Sequence, residues 1–292
     1  MVPPLGKCHV AQDFLGRDGV QSKPISCSIG RSGGGSVMHK AVILLGFCWS
    51  LPAMAAPDCA GDREIHAAHI MRVESNGVLV MTDGRALKLE GIRMPSGVQD
   101  HAPQALADEA RSELDELAKG RELDVHAVWP KEDRYDRVRG QIFTEDGKWV
   151  QLELLRKGLA RVEISPDRGE CYRELYTAEA EARRAGLGIW ANTAYAQRQP
   201  DSIKSDVGTF QVVVGRVTSA AESDGKVYLN FGQDVRRDFT VVINQGDMKT
   251  FKFMDVDPLG YGGKLVRVRG VVQTLNGPAI AVGNPKQIEL LQ

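Results

Sequence analysis

The sequence predicts an α+β fold with five strands and three helices, followed by a second, smaller all-β domain. Between residues 60 and 192, alternating apolar runs come first, and helical patterns interleaved with two more strands follow. From 208 to 292, strand patterns recur between glycine-containing turns, and only the segment 248–259 could hold a short helix. A polar stretch at 193–207 separates these parts and has the composition of a linker.

The first three strands are predicted at residues 70–73, 78–81 and 87–92, where apolar and polar residues alternate. Asn76-Gly77 and Asp83-Gly84 fall between these runs. Such Asn-Gly and Asp-Gly pairs favour tight hairpin turns, because both residue types accept positive φ angles. We therefore expect a three-stranded meander.

Helices and two more strands follow the meander. Pro103 suits the first turn of a helix and Gly120 its end, and the apolar face between them is Leu106, Ala110, Leu114 and Leu117. The later elements are strands at 122–129 and 138–144, a short helix at 150–156 and a helix at 170–185. Five strands with helices around them are the outline of an OB-type barrel.

The C-terminal part is predicted to be OB-like as well. Its strand patterns cover residues 210–218, 227–231, 239–243, 265–272 and 279–282. The single helical segment falls between the third and fourth of these runs, which is the order of an OB-fold. A small β-sandwich would show a similar pattern and remains the alternative.

Residues 38–55 have the pattern of a secretory signal peptide. They combine a basic start, an apolar stretch too short to cross a bilayer, and small residues that suit cleavage after Ala55. Since a signal peptide begins a chain, we expect translation to start at Met38 and residues 1–37 to be a disordered extension. The mature protein would then be periplasmic or secreted and have no membrane span. A membrane anchor is the alternative interpretation.

The cysteines support an oxidising compartment. Three of the five, Cys8, Cys27 and Cys48, precede the predicted cleavage point, so the mature chain keeps Cys59 and Cys171. An even pair in an exported protein predicts one disulfide, with two buried free thiols as the alternative. A closed loop of this length would contribute roughly 4 to 5 kcal/mol in the chain-entropy model.

Three motifs occur in a specific order. They are Asp133-Arg134-Tyr135-Asp136-Arg137, the segment 154–160, and the segment 185–190 with its Gly-Leu-Gly-Ile-Trp ending. Together they resemble the staphylococcal-nuclease (thermonuclease) family of secreted, calcium-dependent phosphodiesterases that cut DNA and RNA on an OB-type barrel. The resemblance covers residues 66–192 and implies a nuclease-like domain there.

The resemblance also implies phosphate-binding cations. Arg137 matches the second phosphate-binding arginine of that family, and Lys88 stands at the position of the first. Lysine offers a point charge where arginine offers a planar fork, so bidentate recognition is weakened. The alternative for Arg137 is an ordinary solvated strand residue.

The family's acidic residues are replaced in this chain. By the same resemblance, Arg93 occupies the position of a calcium-binding aspartate and Ser96 that of the general-base glutamate. The other calcium aspartate falls at Asn76 or Gly77, and Glu74 is the one acid near it. Hard divalent cations need several oxygen ligands with negative charge. We therefore expect no metal site, no cofactor and little or no nuclease activity, as in a pseudoenzyme.

Other charged and aromatic residues are expected to have ordinary roles. Glu90, Asp100 and Asp136 are predicted surface charges, and Trp129 and Trp149 are predicted packing residues. Residues 61–199 contain 21 Lys and Arg against 25 Asp and Glu, which does not favour a broad nucleic-acid-binding surface. In the C-terminal part, the arginine pairs Arg236-Arg237 and Arg267 with Arg269 are predicted to be solvated, and contact with phosphate is the alternative.

The sequence therefore favours an exported protein in which Lys88, Arg93 and Arg137 form a cationic pocket. This pocket would bind phosphate, a nucleotide, nucleic acid or an acidic partner without cleaving it. One alternative is an active metal-dependent endonuclease that uses Ca²⁺ or another metal with Glu74. The other is a periplasmic module that binds a protein partner and is indifferent to phosphate.

Overall fold

The computed structural model describes residues 56–234 and 236–291, which belong to one compact unit. The predicted extension and the predicted signal peptide, residues 1–55, lie outside the described residues. Within the described ranges, every helix is too short or too polar to cross a membrane.

Five strands of the N-terminal region close into a barrel in the order β1-β2-β3-β6-β5. These strands are β1 (Asp62–Val73), β2 (Leu79–Met81), β3 (Ala86–Leu89), β5 (Glu122–Ala127) and β6 (Val138–Thr144), while β4 (Ile92–Arg93) and β7 (Arg161–Val162) form a separate antiparallel pair. Neighbours in the barrel run antiparallel except β3 and β6, which are parallel. The predicted five-stranded barrel is confirmed.

The predicted strand at 87–92 is divided by Gly91, which has a φ of 85°. A side chain at this position would meet Leu175 of the helix behind it, because a Cβ built there lies 2.6 Å from the Leu175 Cδ1 atom. The chain therefore turns after β3 and enters β4 in a new direction. This turn carries Arg93 out of the barrel wall, where β4 pairs with β7.

Three helices complete this region as predicted: α1 (Gln104–Ala118), α2 (Val150–Arg156) and α3 (Tyr172–Ala185). Leu114 of α1, Leu154 of α2 and Leu175 of α3 are buried in the same hydrophobic core as the barrel strands. The predicted disulfide is confirmed, with the Cys59 and Cys171 sulfurs 2.06 Å apart. Because Cys171 directly precedes α3, the bridge ties the start of the described chain to this helix.

The C-terminal region is all-β with one short helix, as expected. Its elements are β8 (Phe210–Arg216), β9 (Ser219–Ser223), β10 (Lys226–Asn230), β11 (Thr240–Ile243), α4 (Met248–Phe253), β12 (Leu265–Leu275), β13 (Gly277–Ala281) and β14 (Ile288–Leu290). Strands β9 and β14 were not predicted. Strand β9 is mostly exposed and polar, so it lacks the apolar alternation that marks a strand.

The segment 193–207 is held against the second region by backbone hydrogen bonds. The Arg198 N–H donates to the Val212 carbonyl, and the Val214 N–H donates to the Arg198 carbonyl, each at 2.9 Å. Two 3-10 turns, Thr193–Tyr195 and Ile203–Asp206, lie within the segment. The connection between the regions is therefore an ordered part of the fold.

A buried cluster of charges joins the two regions. Arg269 of β12 is only 1% exposed, and its Nη1 atom lies 3.0 Å from Glu179 of α3 and 3.0 Å from the Val162 carbonyl oxygen. Its Nη2 atom lies 2.6 Å from Glu289 of β14. The prediction that Arg269 is solvated is wrong, because α3 covers the face of β12 on which Arg269 lies.

Candidate functional site

A cavity of about 340 Å³ lies where the β1–β2 turn, β3, β4, the following loop and α1 meet. It brings together residues that the sequence analysis singled out from separate segments. Five residues from these segments line the cavity: Asn76, Gly77, Lys88, Arg93 and Ser96.

The β1–β2 turn forms one edge of the cavity and is closed by its own hydrogen bonds. The Asn76 Oδ1 atom accepts from the Val78 N–H at 3.1 Å, and the Glu74 N–H donates to the Val78 carbonyl at 2.8 Å. Gly77 has a φ of 81°, and a Cβ there would overlap Met94. The Asn76 side chain therefore holds the turn. Glu74 is bound by Arg72 at 3.2 Å.

Lys88 reaches the cavity from β3, between two leucines whose side chains fill the barrel core. Its Nζ atom is 3.9 Å from Glu90 Oε2. Glu90 is 2% exposed and also accepts from Arg139 Nε at 2.9 Å and from the Ser165 hydroxyl at 2.6 Å. The prediction that Glu90 is a surface charge is wrong, since these contacts place it behind the cavity wall.

The chemistry of Glu90 follows from these neighbours. Burial raises the pKa of its carboxyl, but the Arg139 hydrogen bond, the charges of Lys88 and Arg139 and the Ser165 hydrogen bond together hold this pKa below its ordinary value. Glu90 therefore stays ionised, and both of its carboxylate oxygens accept hydrogen bonds. A carboxylate in this state is a poor candidate for a general base.

Arg93 extends from β4 along the opposite wall. Its Nη2 atom donates to Gln99 Oε1 at 3.1 Å, and its Nη1 atom lies 3.4 Å from Glu163 Oε1. The guanidinium carbon is 5.3 Å from the centre of the Phe210 ring. Glu163 is the sole acidic residue among the described residues that line this cavity. Sequence reasoning missed Glu163, which directly follows the two-residue strand β7, because so short a strand leaves no periodic signal. It placed Phe210 on a strand, but the strand pattern does not show that the ring faces Arg93.

Ser96 begins a tight loop in which its own polar groups are used. The Ser96 Oγ atom accepts from the Gln99 N–H at 3.2 Å, and the Ser96 N–H donates to Asp100 Oδ2 at 2.9 Å. Asp100 is 4% exposed and pairs with Arg161 at 2.7 Å. The surface location predicted for Asp100 is therefore wrong. The Ser96 hydroxyl holds the loop and is no substitute for a general base.

Arg137 lies outside the set of described residues that line the cavity. Its Nε and Nη2 atoms donate to Asp133 Oδ2 at 2.8 and 2.6 Å, and its guanidinium carbon is 5.0 Å from the Tyr135 ring centre. Lys88 and Arg93 therefore line the same cavity, whereas the Arg137 side chain binds Asp133 in the turn that precedes β6.

Two tryptophans of the N-terminal region, Trp129 and Trp149, behave differently. Trp149 is buried and its indole N–H donates to Gln141 at 3.1 Å, as expected for a packing residue. Trp129 is 84% exposed, so its predicted packing role is wrong. Hydrophobicity alone could not distinguish the two, because the difference lies in which neighbours cover each ring.

The donor set of the cavity does not fit calcium. Ca²⁺ takes six to eight oxygen ligands, usually with several carboxylates, whereas the cavity offers Glu163, which Arg93 already engages. Elsewhere among the described residues, one group of three metal-ligating side chains occurs, Cys59 with Cys171 and Glu174. Its two sulfurs are bonded to each other and are not free to bind a metal.

Part of the N-terminal region matches known proteins in sequence. Residues 86–192 match the family described as Staphylococcal nuclease homologue. The chain is also 30% identical over 105 residues to Staphylococcal nuclease domain-containing protein 1 of Drosophila melanogaster. That alignment spans 36% of this chain and 11% of the relative. The family match begins at β3, so Lys88, Arg93 and Ser96 lie within it and the Asn76 turn precedes it.

Proposed function

We propose that this chain, with its staphylococcal-nuclease-like domain at residues 86–192, is an exported protein that binds a phosphate group without hydrolysing it. The observation that carries the proposal is that Lys88 and Arg93 line one cavity, in which Glu163 is the sole acidic residue among those that the structure describes. The ligand class is a terminal phosphate of a nucleotide or of single-stranded nucleic acid.

Charge at the cavity favours an anion. Lys88 and Arg93 contribute two positive charges and Glu163 one negative charge, so the lining residues carry a net charge of +1. Arg93 reaches Glu163 only at 3.4 Å, which is a weak ion pair. A phosphate oxygen can compete with Glu163 for the Arg93 guanidinium, because charge-assisted hydrogen bonds to phosphate are short and strong.

Hydrolysis requires more than cations. An attacking water needs a base, and the charge that develops on phosphorus needs a metal or several donors. Ser96 holds its loop, Glu90 is engaged by Arg139, and Glu163 faces Arg93. Among the described residues, the cavity offers two cations and a single carboxylate, which is too few oxygen ligands for a metal and favours retention of a phosphate over cleavage of a phosphodiester.

Two further parts of the proposal concern the whole chain. Export is supported by the signal-peptide pattern together with the Cys59–Cys171 disulfide. The region 208–292 is proposed to be a second OB-type barrel. If β8 and β9 count as one interrupted strand, its strand pairing repeats that of the first barrel, with the third and fifth strands parallel in both.

Substitution of the cavity cations should weaken phosphate binding. Arg93→Ala and Lys88→Ala are each expected to lower the affinity for a short 5′-phosphorylated oligothymidylate about tenfold, since each removes one charge-assisted hydrogen bond. Glu163→Gln should raise the affinity, because it removes the competing carboxylate. Isothermal titration calorimetry measures both effects.

Arg156→Ala is the matched control, because Arg156 is exposed on α2 and pairs with Glu153. It should bind like the wild type. The unphosphorylated oligothymidylate should bind weakly to every variant. Equal affinity for the two oligonucleotides, or an unchanged affinity in Arg93→Ala, would remove the proposal.

The purified mature protein should leave denatured DNA intact in the presence of Ca²⁺. The reason is the donor set of the described lining residues, whose single carboxylate, Glu163, is too little to hold Ca²⁺. Gel electrophoresis of the DNA after incubation with Ca²⁺, with and without a chelator, measures the outcome. Chelator-sensitive cutting that is lost in an Arg137→Ala variant would instead establish the metal-dependent nuclease.

A further inference from the structure

We propose that Phe210, the first residue of β8, is a positioning residue for Arg93, so that the anion site needs both regions of the chain. This inference rests on the proposed phosphate binding and extends it. The matched nuclease-like segment ends at residue 192, and Phe210 lies beyond it.

Phe210 is buried and faces two guanidinium groups of the N-terminal region. The Arg93 Cζ atom lies 5.3 Å and the Arg161 Cζ atom 4.9 Å from the centre of its ring. Both distances are within the range in which an aromatic face attracts a cation. The Phe210 ring of the C-terminal region therefore makes cation–π contacts with two arginines of the N-terminal region.

The polar contacts of Arg93 hold only part of its guanidinium. Its Nη1 atom lies 3.4 Å from Glu163 Oε1 and its Nη2 atom donates to the uncharged Gln99 at 3.1 Å, while the Nε atom is buried without a hydrogen-bond partner among the described residues. A flexible arginine loses rotamer freedom when it binds a ligand. The Phe210 ring restricts the guanidinium before a phosphate arrives, which reduces that loss.

Phe210 is itself held in place from both sides. Its backbone pairs with Val271 of β12, and its carbonyl oxygen accepts from Arg161 Nη1 at 2.7 Å. Arg161 also pairs with Asp100, which in turn accepts from the Ser96 N–H of the cavity loop. A continuous set of contacts therefore runs from the cavity wall to the first strand of the second region.

The test is a Phe210→Leu variant of the full chain. Leucine keeps the apolar bulk and the carbonyl that binds Arg161, and it removes the aromatic face. We expect phenylglyoxal to modify Arg93 at least threefold faster in the free protein, as measured by peptide mass spectrometry. Binding of 5′-phosphorylated oligothymidylate should weaken about threefold to tenfold.

Phe251→Leu is the matched control, because Phe251 is a fully buried phenylalanine of the same region on α4. It should leave the modification rate and the affinity at their wild-type values. Phe210→Tyr keeps the ring and should restore both. If Phe210→Leu does not fold, as judged by circular dichroism, Phe210→Met carries the same test.

An unchanged Arg93 modification rate in the folded Phe210 variant would overturn the inference. Faster modification with no oligonucleotide binding in the wild type would uphold the positioning of Arg93 and remove the proposed function. The modification rate therefore tests the positioning of Arg93, and oligonucleotide binding by the wild type tests the proposed function.

Discussion

Arg269→Ala is expected to lower the free energy of unfolding by about 3 to 5 kcal/mol, the cost of leaving a buried charge without its partner. Arg269 and Glu179 are both about 1% exposed, and the Arg269 guanidinium bridges Glu179 and Glu289. Its removal leaves the buried Glu179 paired with Arg183 and the partly buried Glu289 paired with Arg267, so each carboxylate loses one of its two cations. Denaturant-induced unfolding followed by circular dichroism measures the loss.

Arg267→Ala is the control for this experiment. Arg267 lies two residues away on the same strand and binds the same Glu289, but its side chain is partly exposed. Its removal should cost about 1 kcal/mol or less. The double variant Arg269→Met with Glu179→Met should recover stability relative to Arg269→Ala, because apolar residues can replace a buried ion pair. A loss in Arg269→Ala no larger than in Arg267→Ala would contradict the argument.

Removal of the disulfide should have an effect of similar size. In the chain-entropy model, a bridge between residues 112 positions apart stabilises the fold by roughly 4 to 5 kcal/mol. The Cys59→Ser, Cys171→Ser double variant should therefore unfold at a markedly lower denaturant concentration. The wild type treated with reductant should approach the same midpoint.

The double variant is also its own control, since reductant should not change its unfolding curve. Intact-mass measurement of the wild type should show a gain of two hydrogens on reduction. If the wild type unfolds at the same denaturant concentration with and without reductant, the bridge contributes nothing to stability.

The barrel was predictable because its signals are local. Strand β6 and helix α2 have the predicted bounds, and for α2 the following Gly158 marks the end within a few residues. Strand β3 ended earlier than predicted, at Leu89, because Gly91 adopts a left-handed conformation. Strand β9 could not be found by alternation, since it is mostly exposed.

The site was only partly predictable from sequence. Lys88, Arg93 and Ser96 were found from the resemblance, and they line one cavity. The burial of Glu90 and Asp100 was missed because their partners, Arg139 and Arg161, lie far along the chain. Charge at a single position says nothing about whether a distant arginine will cover it. Only the folded structure shows that each carboxylate and its arginine are buried together.

The buried charge cluster has a consequence for strand β14. Arg269 binds two acids, Glu289 of β14 and Glu179 of α3. Cleavage of the backbone just before Glu289 would take a counterion away from a guanidinium that is only 1% exposed. A cut in this outer strand should therefore loosen α3, a helix of the nuclease-like domain.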